Sequence, residues 1–316
     1  MKFINCMNYL DRLFYNSKKF LGQYNTLREF IIRMKRYFDH LIWGLGLSFA
    51  YFSLNAKENS HSPVKKWENV RFVTHSTGEL LLDVFRSNDN KERPAVLCLH
   101  GGFWAKGSKK FMIPLAEGLV EKGYVAVCSN YRLTDVAPAP AQLHDVFSAI
   151  RFLRENASDY GIDPEKIGVT GSSAGGYLAV MAAVFDSGDK RTRPDAAVGM
   201  GAQTDLTSPH IQNSTVLNWS KFMGGFYREV PQNYIKQSPI NHLSSNDPPV
   251  AIICGEHDKP STRANEFRQK AVRFGVPTSL TEISGAPHGL LKATEHRRIA
   301  INALDEFFRV HLQLKQ

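Results

Sequence analysis

Ser173 has the sequence surroundings of a nucleophile. It is the central residue of Gly171-Ser172-Ser173-Ala174-Gly175, a G-x-S-x-G pattern between an apolar run at 167–170 and small residues that predict a helix at 175–185. Strand, sharp turn and helix in this order form a nucleophile elbow, in which the glycines relieve crowding and the serine hydroxyl projects from the end of the sheet. We therefore predict that Ser173 is a catalytic nucleophile.

A serine hydroxyl is a weak nucleophile at neutral pH, so it needs a base within hydrogen-bond reach and a carboxylate that orients the base. Asp258 follows the apolar run 250–254, and His288 follows the predicted strand 278–283. In a parallel sheet, the loops after the strands open at the edge where Ser173 should lie. We predict that His288 is the general base, and then the general acid, and that Asp258 orients it. Three neighbours compete with Asp258 for this position: Glu256, His257 and Asp247.

A second glycine-rich turn has the residue types of an oxyanion hole. The segment His100-Gly101-Gly102-Phe103-Trp104 directly follows the apolar run 95–99. Two glycines at a strand end let backbone N–H groups face a cavity, where they stabilise a developing negative charge. We predict an oxyanion hole built from the N–H groups of Gly101, Gly102, Phe103 and Ala174, with a plain Gly–Gly turn as the alternative. His100 is more simply explained as a hydrogen-bonded structural residue than as a second base.

The rest of the body alternates strand and helix patterns, which positions these loops. After a predicted antiparallel hairpin at 70–73 and 80–85, five-residue apolar runs alternate with amphipathic stretches. That alternation is typical of a mostly parallel sheet covered by helices on both faces. The remaining predicted strands are 95–99, 124–128, 166–170, 196–200, 250–254 and 278–283, and the predicted helices are 111–122, 142–160, 175–185, 262–274 and 295–312.

Residues 203–247 interrupt the alternation with a long stretch rich in aromatic residues, prolines and glycines. Loops of this length inside a compact domain are usually functional. We predict a cap-like insertion over the site, with ordinary surface packing as the alternative. Trp104 is then predicted to form a pocket wall, and Trp219 of the insertion to contact the substrate.

Residues 1–60 differ in character from the body. They contain the uncharged run 41–54, which as a helix would be about 21 Å long, shorter than the ~30 Å hydrocarbon core of a bilayer. The length suits the apolar region of a signal peptide, most clearly if translation starts at Met34 rather than Met1. We predict export, to a secreted or periplasmic location, or membrane anchoring through 41–54. A helix buried against the body of a cytoplasmic protein is the alternative.

Charge and cysteines narrow the function classes. The formal net charge is +9, but residues 1–60 hold nine Lys and Arg against four Asp and Glu, and the other 256 residues hold 30 against 26. Because the excess is concentrated in the first segment, a nucleic-acid-binding surface on the body is not expected. Cys98, Cys128 and Cys254 lie in separate apolar runs, which predicts free core thiols, with a disulfide between two of them as the alternative. No Cys or His spacing indicates a metal site.

Together these motifs resemble the α/β-hydrolase superfamily, and within it the esterase/lipase branch with an HGGxW oxyanion motif, which includes bifunctional feruloyl/acetyl xylan esterase-like and kynurenine formamidase-like proteins. The segments 100–104, 129–133 and 163–167 are similar to that branch, and the resemblance covers roughly 70–312. It implies an α/β-hydrolase catalytic domain over residues 61–316, with the triad Ser173, Asp258 and His288. Phe103 stands where enzymes of the HGGG branch have a third glycine.

The resemblance implies a carboxylic ester hydrolase that works through an acyl-enzyme and needs no cofactor. The expected substrate is a small acyl ester, with acetyl or feruloyl esters of carbohydrate as candidates. An arylformamidase of the kynurenine formamidase type is the alternative, because the same residues cleave both kinds of bond. A binding module that has kept the fold is disfavoured by three matching catalytic residues on three distant loops. The oligomeric state does not follow from the sequence.

Overall fold

The computed structural model of the protein describes residues 64–258 and 264–313. These residues belong to one compact unit, 62–316. The predicted signal or anchor segment 41–54 and the alternative start at Met34 lie outside the described residues, so export or anchoring and the boundary near residue 60 stay predictions. Within the two described ranges, no helix is long and apolar enough to cross a membrane.

The core of the molecule is an eight-stranded sheet. The strands are β1 (Val64–His75), β2 (Gly78–Ser87), β3 (Arg93–Leu99), β4 (Val125–Ser129), β5 (Ile162–Ser172), β6 (Ala196–Met200), β7 (Val250–Gly255) and β8 (Leu280–Ile283). Their spatial order is β1-β2-β4-β3-β5-β6-β7-β8. The pairs β1–β2 and β2–β4 are antiparallel, and all other neighbouring pairs in this sheet are parallel. The predicted hairpin and parallel strands are confirmed, although β1, β2 and β5 are longer than their apolar runs.

Helices cover both faces of the sheet, as predicted. One buried cluster joins the sheet to the helices Ala141–Glu155 and Ala174–Val184, and a second joins the opposite face to the helices Ile113–Glu121 and Thr294–His311. Successive residues of β3 point to opposite faces, so Leu97 belongs to the first cluster, and Val96 and Cys98 belong to the second. The helices are α1 (Ile113–Glu121), α2 (Ala141–Glu155), α3 (Ala157–Tyr160), α4 (Ala174–Val184), α5 (Pro209–Gln212), α6 (Leu217–Met223), α7 (Pro231–Lys236), α8 (Ala264–Arg273) and α9 (Thr294–His311).

The single helix predicted at 142–160 is wrong in one respect, because it is broken at Asn156. The backbone there has φ −115° and ψ 25°, and the Asn156 side chain donates a hydrogen bond to the Phe152 carbonyl at 2.8 Å. The same carbonyl also accepts the Asn156 N–H at 3.0 Å, which is the last hydrogen bond of α2, and the backbone angles of Asn156 end the helix there. Gly161 then ends α3 with a left-handed backbone, at φ 62°.

The insertion 203–247 contains α5, α6 and α7 and packs directly on the body. Trp219, Phe222 and Tyr234 are buried in the same cluster as the residues of α2 and α4. The Tyr177 hydroxyl of α4 donates a hydrogen bond to the Gln237 carbonyl at 2.9 Å. The insertion is therefore continuous with the hydrophobic core. The three cysteines of the described part are buried and are not in disulfides, as predicted: Cys98, Cys128 and Cys254.

Candidate active site

Ser173 lies in the sharp turn between β5 and α4, where the sequence predicts it. Its backbone has φ 56° and ψ −115°, a strained conformation for a residue with a side chain, at a cost of about 1–3 kcal/mol. The Ser173 N–H donates to the Met200 carbonyl at 2.7 Å, and its own carbonyl accepts from the Tyr177 N–H at 2.9 Å. The turn is thus held by backbone hydrogen bonds to β6 on one side and to α4 on the other.

His288 and Asp258 meet at this turn. The distance from Ser173 Oγ to His288 Nε2 is 2.8 Å, and the distance from His288 Nδ1 to Asp258 Oδ1 is also 2.8 Å. When Nδ1–H donates to the carboxylate, Nε2 carries the lone pair and accepts the serine proton. The structure therefore brings the three predicted residues into the order that nucleophile, base and orienting acid require.

The surroundings of His288 and Asp258 change the pKa of the histidine. Asp258 has 4% of its side-chain surface exposed, whereas His288 has 46%. The hydrogen bond to Asp258 raises the pKa of the His288 imidazole above its usual 6.5, its charge acts in the same direction, and partial burial opposes both. Gly201 packs against this pair. A Cβ added there would lie 3.1 Å from Asp258 Oδ2 and 3.3 Å from the His288 ring.

The competitors of Asp258 are occupied elsewhere. Glu256 accepts hydrogen bonds from the Ser284 hydroxyl at 2.9 Å and the Gly285 N–H at 2.7 Å. Asp247 precedes β7 and so lies at the amino end of that strand, away from Ser173, and it accepts a hydrogen bond from Arg193 at 2.6 Å. His257 is exposed. Of these four residues, Asp258 is the one whose carboxylate is hydrogen-bonded to His288 Nδ1.

The predicted oxyanion loop lies against the nucleophile turn. A Cβ added to Gly101 would be 2.9 Å from the Ser172 carbonyl oxygen and 3.3 Å from Ser173 Cβ, so only glycine permits this approach. Ala174 is the first residue of α4, and N–H groups in the first helical turn have no carbonyl partner inside their own helix. The loop and the helix start therefore place several backbone donors close to Ser173.

The loop continues as a tight turn with unusual residues. The Ala105 N–H donates to the Gly102 carbonyl at 3.1 Å, and the two central residues have positive φ, 57° at Phe103 and 56° at Trp104. This is the type I′ pattern, which favours Asn and Gly because a side chain crowds the backbone there. Two bulky residues in left-handed conformations cost about 1–2 kcal/mol each. Packing elsewhere has to offset that strain.

His100 is a structural residue of this loop, as expected. Its Nδ1–H donates to the Gly101 carbonyl at 2.8 Å, its ring stacks on Tyr131 at 4.3 Å, and the Tyr131 hydroxyl donates to the His100 carbonyl at 2.8 Å. Burial lowers the pKa of His100. The ring therefore stays neutral and is committed to holding the loop.

The two predicted substrate-contacting tryptophans are buried. Trp104 is 2% exposed and Trp219 is 6% exposed, so in this structure neither presents an open pocket wall. Phe103 is only partly buried, and its ring contacts both indoles edge to face, at 5.7 Å and 5.0 Å. The aromatic ring that borders the site is thus Phe103. The contact of Gly201 with the triad was not predicted, although its position directly after a strand was an available sign. The contact of Phe222 with Trp104 was not predicted either, although Phe222 is one of the aromatic residues of the insertion.

Comparison with known proteins places the chain in a family. Residues 82–270, more than half of the sequence, match the BD-FAE family. The chain belongs to the BD-FAE family. Among its relatives is the Mycobacterium tuberculosis protein named esterase LipQ, 32% identical over 252 residues, which are 73% of this chain and 59% of LipQ. This BD-FAE chain spans 47% to 59% of the length of LipQ, LipM and LipC, three relatives from that organism.

Solved structures agree on the fold of this BD-FAE chain. A truncated form of a carbohydrate esterase from gut microbiota superposes with a TM-score of 0.69 at 24% identity, over 79% of this chain and 96% of that one. Esterase Est2 of the planctomycete Thermogutta terrifontis superposes with a TM-score of 0.63 at 22% identity, over 79% and 92%. The predicted α/β-hydrolase fold is confirmed.

Proposed function

We propose that this protein is a serine-dependent carboxylic ester hydrolase with Ser173 as nucleophile, His288 as base and Asp258 as the orienting acid. The observation that carries the proposal is the continuous pair of 2.8 Å hydrogen bonds from Ser173 Oγ through the His288 ring to Asp258. Membership of the BD-FAE family and relatives named as esterases support the same reaction class.

In the first half of the reaction, Ser173 Oγ bonds to the acyl carbon while His288 Nε2 takes the hydroxyl proton. The carbonyl oxygen becomes an oxyanion, and Asp258 stabilises the imidazolium that forms. The C–O bond to the alcohol then breaks, and His288 returns the proton to the leaving oxygen. Water, activated by the same histidine, hydrolyses the acyl-enzyme and regenerates the Ser173 hydroxyl.

Backbone donors near Ser173 stabilise the oxyanion. The candidates are the N–H groups of Gly101, Gly102 and Phe103 in the loop, and that of Ala174 at the start of α4. Gly101 lies directly against the nucleophile turn. At Ala174, the positive partial charge of the helix N-terminus favours the developing negative charge. Loss of one such donor typically slows an acyl-transfer enzyme about 10²–10³-fold, so this loop carries much of the expected rate enhancement.

The substrate we propose is a short acyl ester, with acetyl or feruloyl esters of carbohydrate as the candidates. Phe103 occupies the position of a third glycine, and its ring leans on Trp104 and Trp219 at the edge of the site, which restricts the space for the acyl chain. The structural neighbour described as a carbohydrate esterase supports a sugar ester. A formamide substrate is tested beside the esters, because the same residues would cleave it.

The test is hydrolysis of p-nitrophenyl acetate, butyrate and octanoate by the full chain, with acetylated xylan, a feruloyl ester and N-formylkynurenine beside them. We expect cleavage of acetate above octanoate, and a loss of kcat of about 10⁴–10⁶-fold in Ser173→Ala. The Ser172→Ala variant is the matched control, because this neighbouring hydroxyl is outside the hydrogen-bonded triad. Full activity in Ser173→Ala would overturn the mechanism. Cleavage of N-formylkynurenine and of none of the esters would mean that the substrate is a formamide and not an ester.

A further inference from the structure

We propose that Phe222, in helix α6 of the insertion, is a positioning residue that acts through Trp104 to hold the oxyanion loop in its reactive conformation. The inference rests on the proposed function, since it assigns to the loop the task of binding the oxyanion. It makes the insertion part of the catalytic apparatus, although Phe222 has no contact with the reacting atoms.

The loop needs an external support. Phe103 and Trp104 both have left-handed backbones, and Gly102 before them has φ 126°. Side chains with a Cβ disfavour this conformation, so an isolated segment with this sequence would adopt another turn. Any relaxation of Phe103 or Trp104 reorients the Phe103 N–H, because that group belongs to the strained turn. The position of the donors therefore depends on what holds the two side chains, together with the hydrogen bond that the Trp104 carbonyl accepts from the Thr134 N–H at 3.0 Å.

Phe222 provides the closest support for Trp104. The two rings are stacked with centroids 3.8 Å apart and planes 2° from parallel, and Tyr177 meets both rings edge to face, at 5.1 Å and 5.7 Å. The Trp104 Nε1–H is buried and has no hydrogen-bond partner in the part of the chain that the structure describes. Packing alone therefore determines where the indole lies, because the side chain has no hydrogen bond to fix it.

Helix α6 is anchored independently of the loop. The Phe222 carbonyl accepts a hydrogen bond from the Ala139 N–H at 2.8 Å, and the Met223 carbonyl accepts one from the Asn233 side chain at 2.9 Å. The Phe222 ring that stacks on Trp104 therefore belongs to a helix that has its own hydrogen bonds to other parts of the protein. A fixed ring can oppose relaxation of the strained turn, whereas a mobile one would follow it.

If Phe222 holds the oxyanion loop through Trp104, its removal should change kcat and leave KM almost unchanged. Oxyanion contacts strengthen in the transition state, so loosening the loop lowers kcat and kcat/KM together and leaves KM almost unchanged. We expect Phe222→Ala to lower kcat by about 10–100-fold, less than deletion of a whole donor would. Phe222→Leu keeps most of the volume, removes the flat stacking surface and should show a smaller loss of the same kind.

The deciding experiment adds a second substitution at Phe103 to the Phe222→Ala protein. Glycine adopts positive φ without cost, so Phe222→Ala/Phe103→Gly should recover about tenfold in kcat. Phe222→Ala/Phe103→Ala removes the same ring but retains the Cβ, and it should recover nothing. Phe103→Gly and Phe103→Ala are also measured as single variants, which completes a double-mutant cycle. Their kcat values show how much of any change comes only from the loss of the Phe103 ring and the larger pocket.

Tyr227→Ala is the control for general damage to the insertion, because Tyr227 contacts Tyr234 rather than Trp104. Its kcat should remain within twofold of wild type, with thermal unfolding midpoints confirming that each variant is folded at the assay temperature. Equal kcat for the Gly and Ala double variants would overturn the coupling while leaving the proposed function intact. Absence of Ser173-dependent cleavage in the wild type would overturn both.

Discussion

Two sides of the same reacting centre are built differently. The nucleophile side, formed by the Ser173 turn with His288 and Asp258, is held by backbone and polar hydrogen bonds of 2.7–2.9 Å. The oxyanion side, formed by the loop from His100 to Ala105, accepts hydrogen bonds at its backbone carbonyls and is also packed against aromatic rings around Trp104. Each side contains strained residues with positive φ and one histidine, but only one of the two histidines is placed to exchange a proton.

The difference teaches how one site divides its tasks. His288 is half exposed and bonded to a carboxylate, which raises its pKa, so it takes and releases protons near neutral pH. His100 is buried against Tyr131, which lowers its pKa, so it remains neutral and serves packing. The side that we propose to move protons uses a chain of hydrogen bonds between side chains, and the side that must only stay in place uses hydrogen bonds to its backbone and aromatic contacts.

Breaking the polar side should have the largest effect after removal of the nucleophile. Asp258→Asn preserves shape but removes the charge that orients His288 and stabilises the imidazolium, so kcat should fall by about 10⁴-fold with little change in KM. Steady-state kinetics on p-nitrophenyl acetate measure this. Glu256→Gln, which alters a neighbouring carboxylate bonded to Ser284, is the matched control and should retain activity. Equal losses in both variants would contradict the assignment of Asp258.

The pH profile sharpens the contrast between the two histidines. The base must be neutral to accept the serine proton, and its pKa is raised, so kcat/KM should decline as pH falls, with a midpoint above 6.5. Below the midpoint the rate should drop about tenfold per pH unit. The lowered pKa of His100 adds no second limb near neutrality. In Asp258→Asn, the midpoint of the decline in the residual kcat/KM should move to lower pH, because the hydrogen bond that raises the pKa of His288 is altered. An unchanged midpoint would show that another group titrates.

The smallest effect concerns strain in the Ser173 turn. At φ 56° a glycine is unstrained whereas an alanine is not, although glycine also gains freedom in the unfolded chain. Ser173→Gly should therefore be more stable than Ser173→Ala by about 1 kcal/mol, or a few degrees in Tm. Both variants lack the nucleophile, so matched thermal scans are the measurement. A Ser173→Ala protein as stable as Ser173→Gly would mean that backbone contacts store no strain at this turn.

The parts that could be predicted from the sequence are those set by neighbours in the chain. G-x-S-x-G after an apolar run indicated the turn at Ser173, and HGG after another run indicated the loop beside it. The positions of Asp258 and His288 followed from a general property of parallel sheets, whose carboxyl ends meet at one edge. Asp258 could not be separated from Glu256 in this way, because both follow β7 and the position after a strand does not say which partner a carboxylate bonds.

The features that could not be predicted depend on contacts between distant segments. Trp104 was expected to line a pocket, because nothing near it in the sequence shows that Phe222 and Tyr177 enclose its ring. Periodicity and turn residues report local backbone preference, and they therefore specified the α/β alternation and the reactive turns. Burial, stacking and hydrogen-bond partners arise only when remote side chains meet, and those contacts made Trp104 a support of the oxyanion loop.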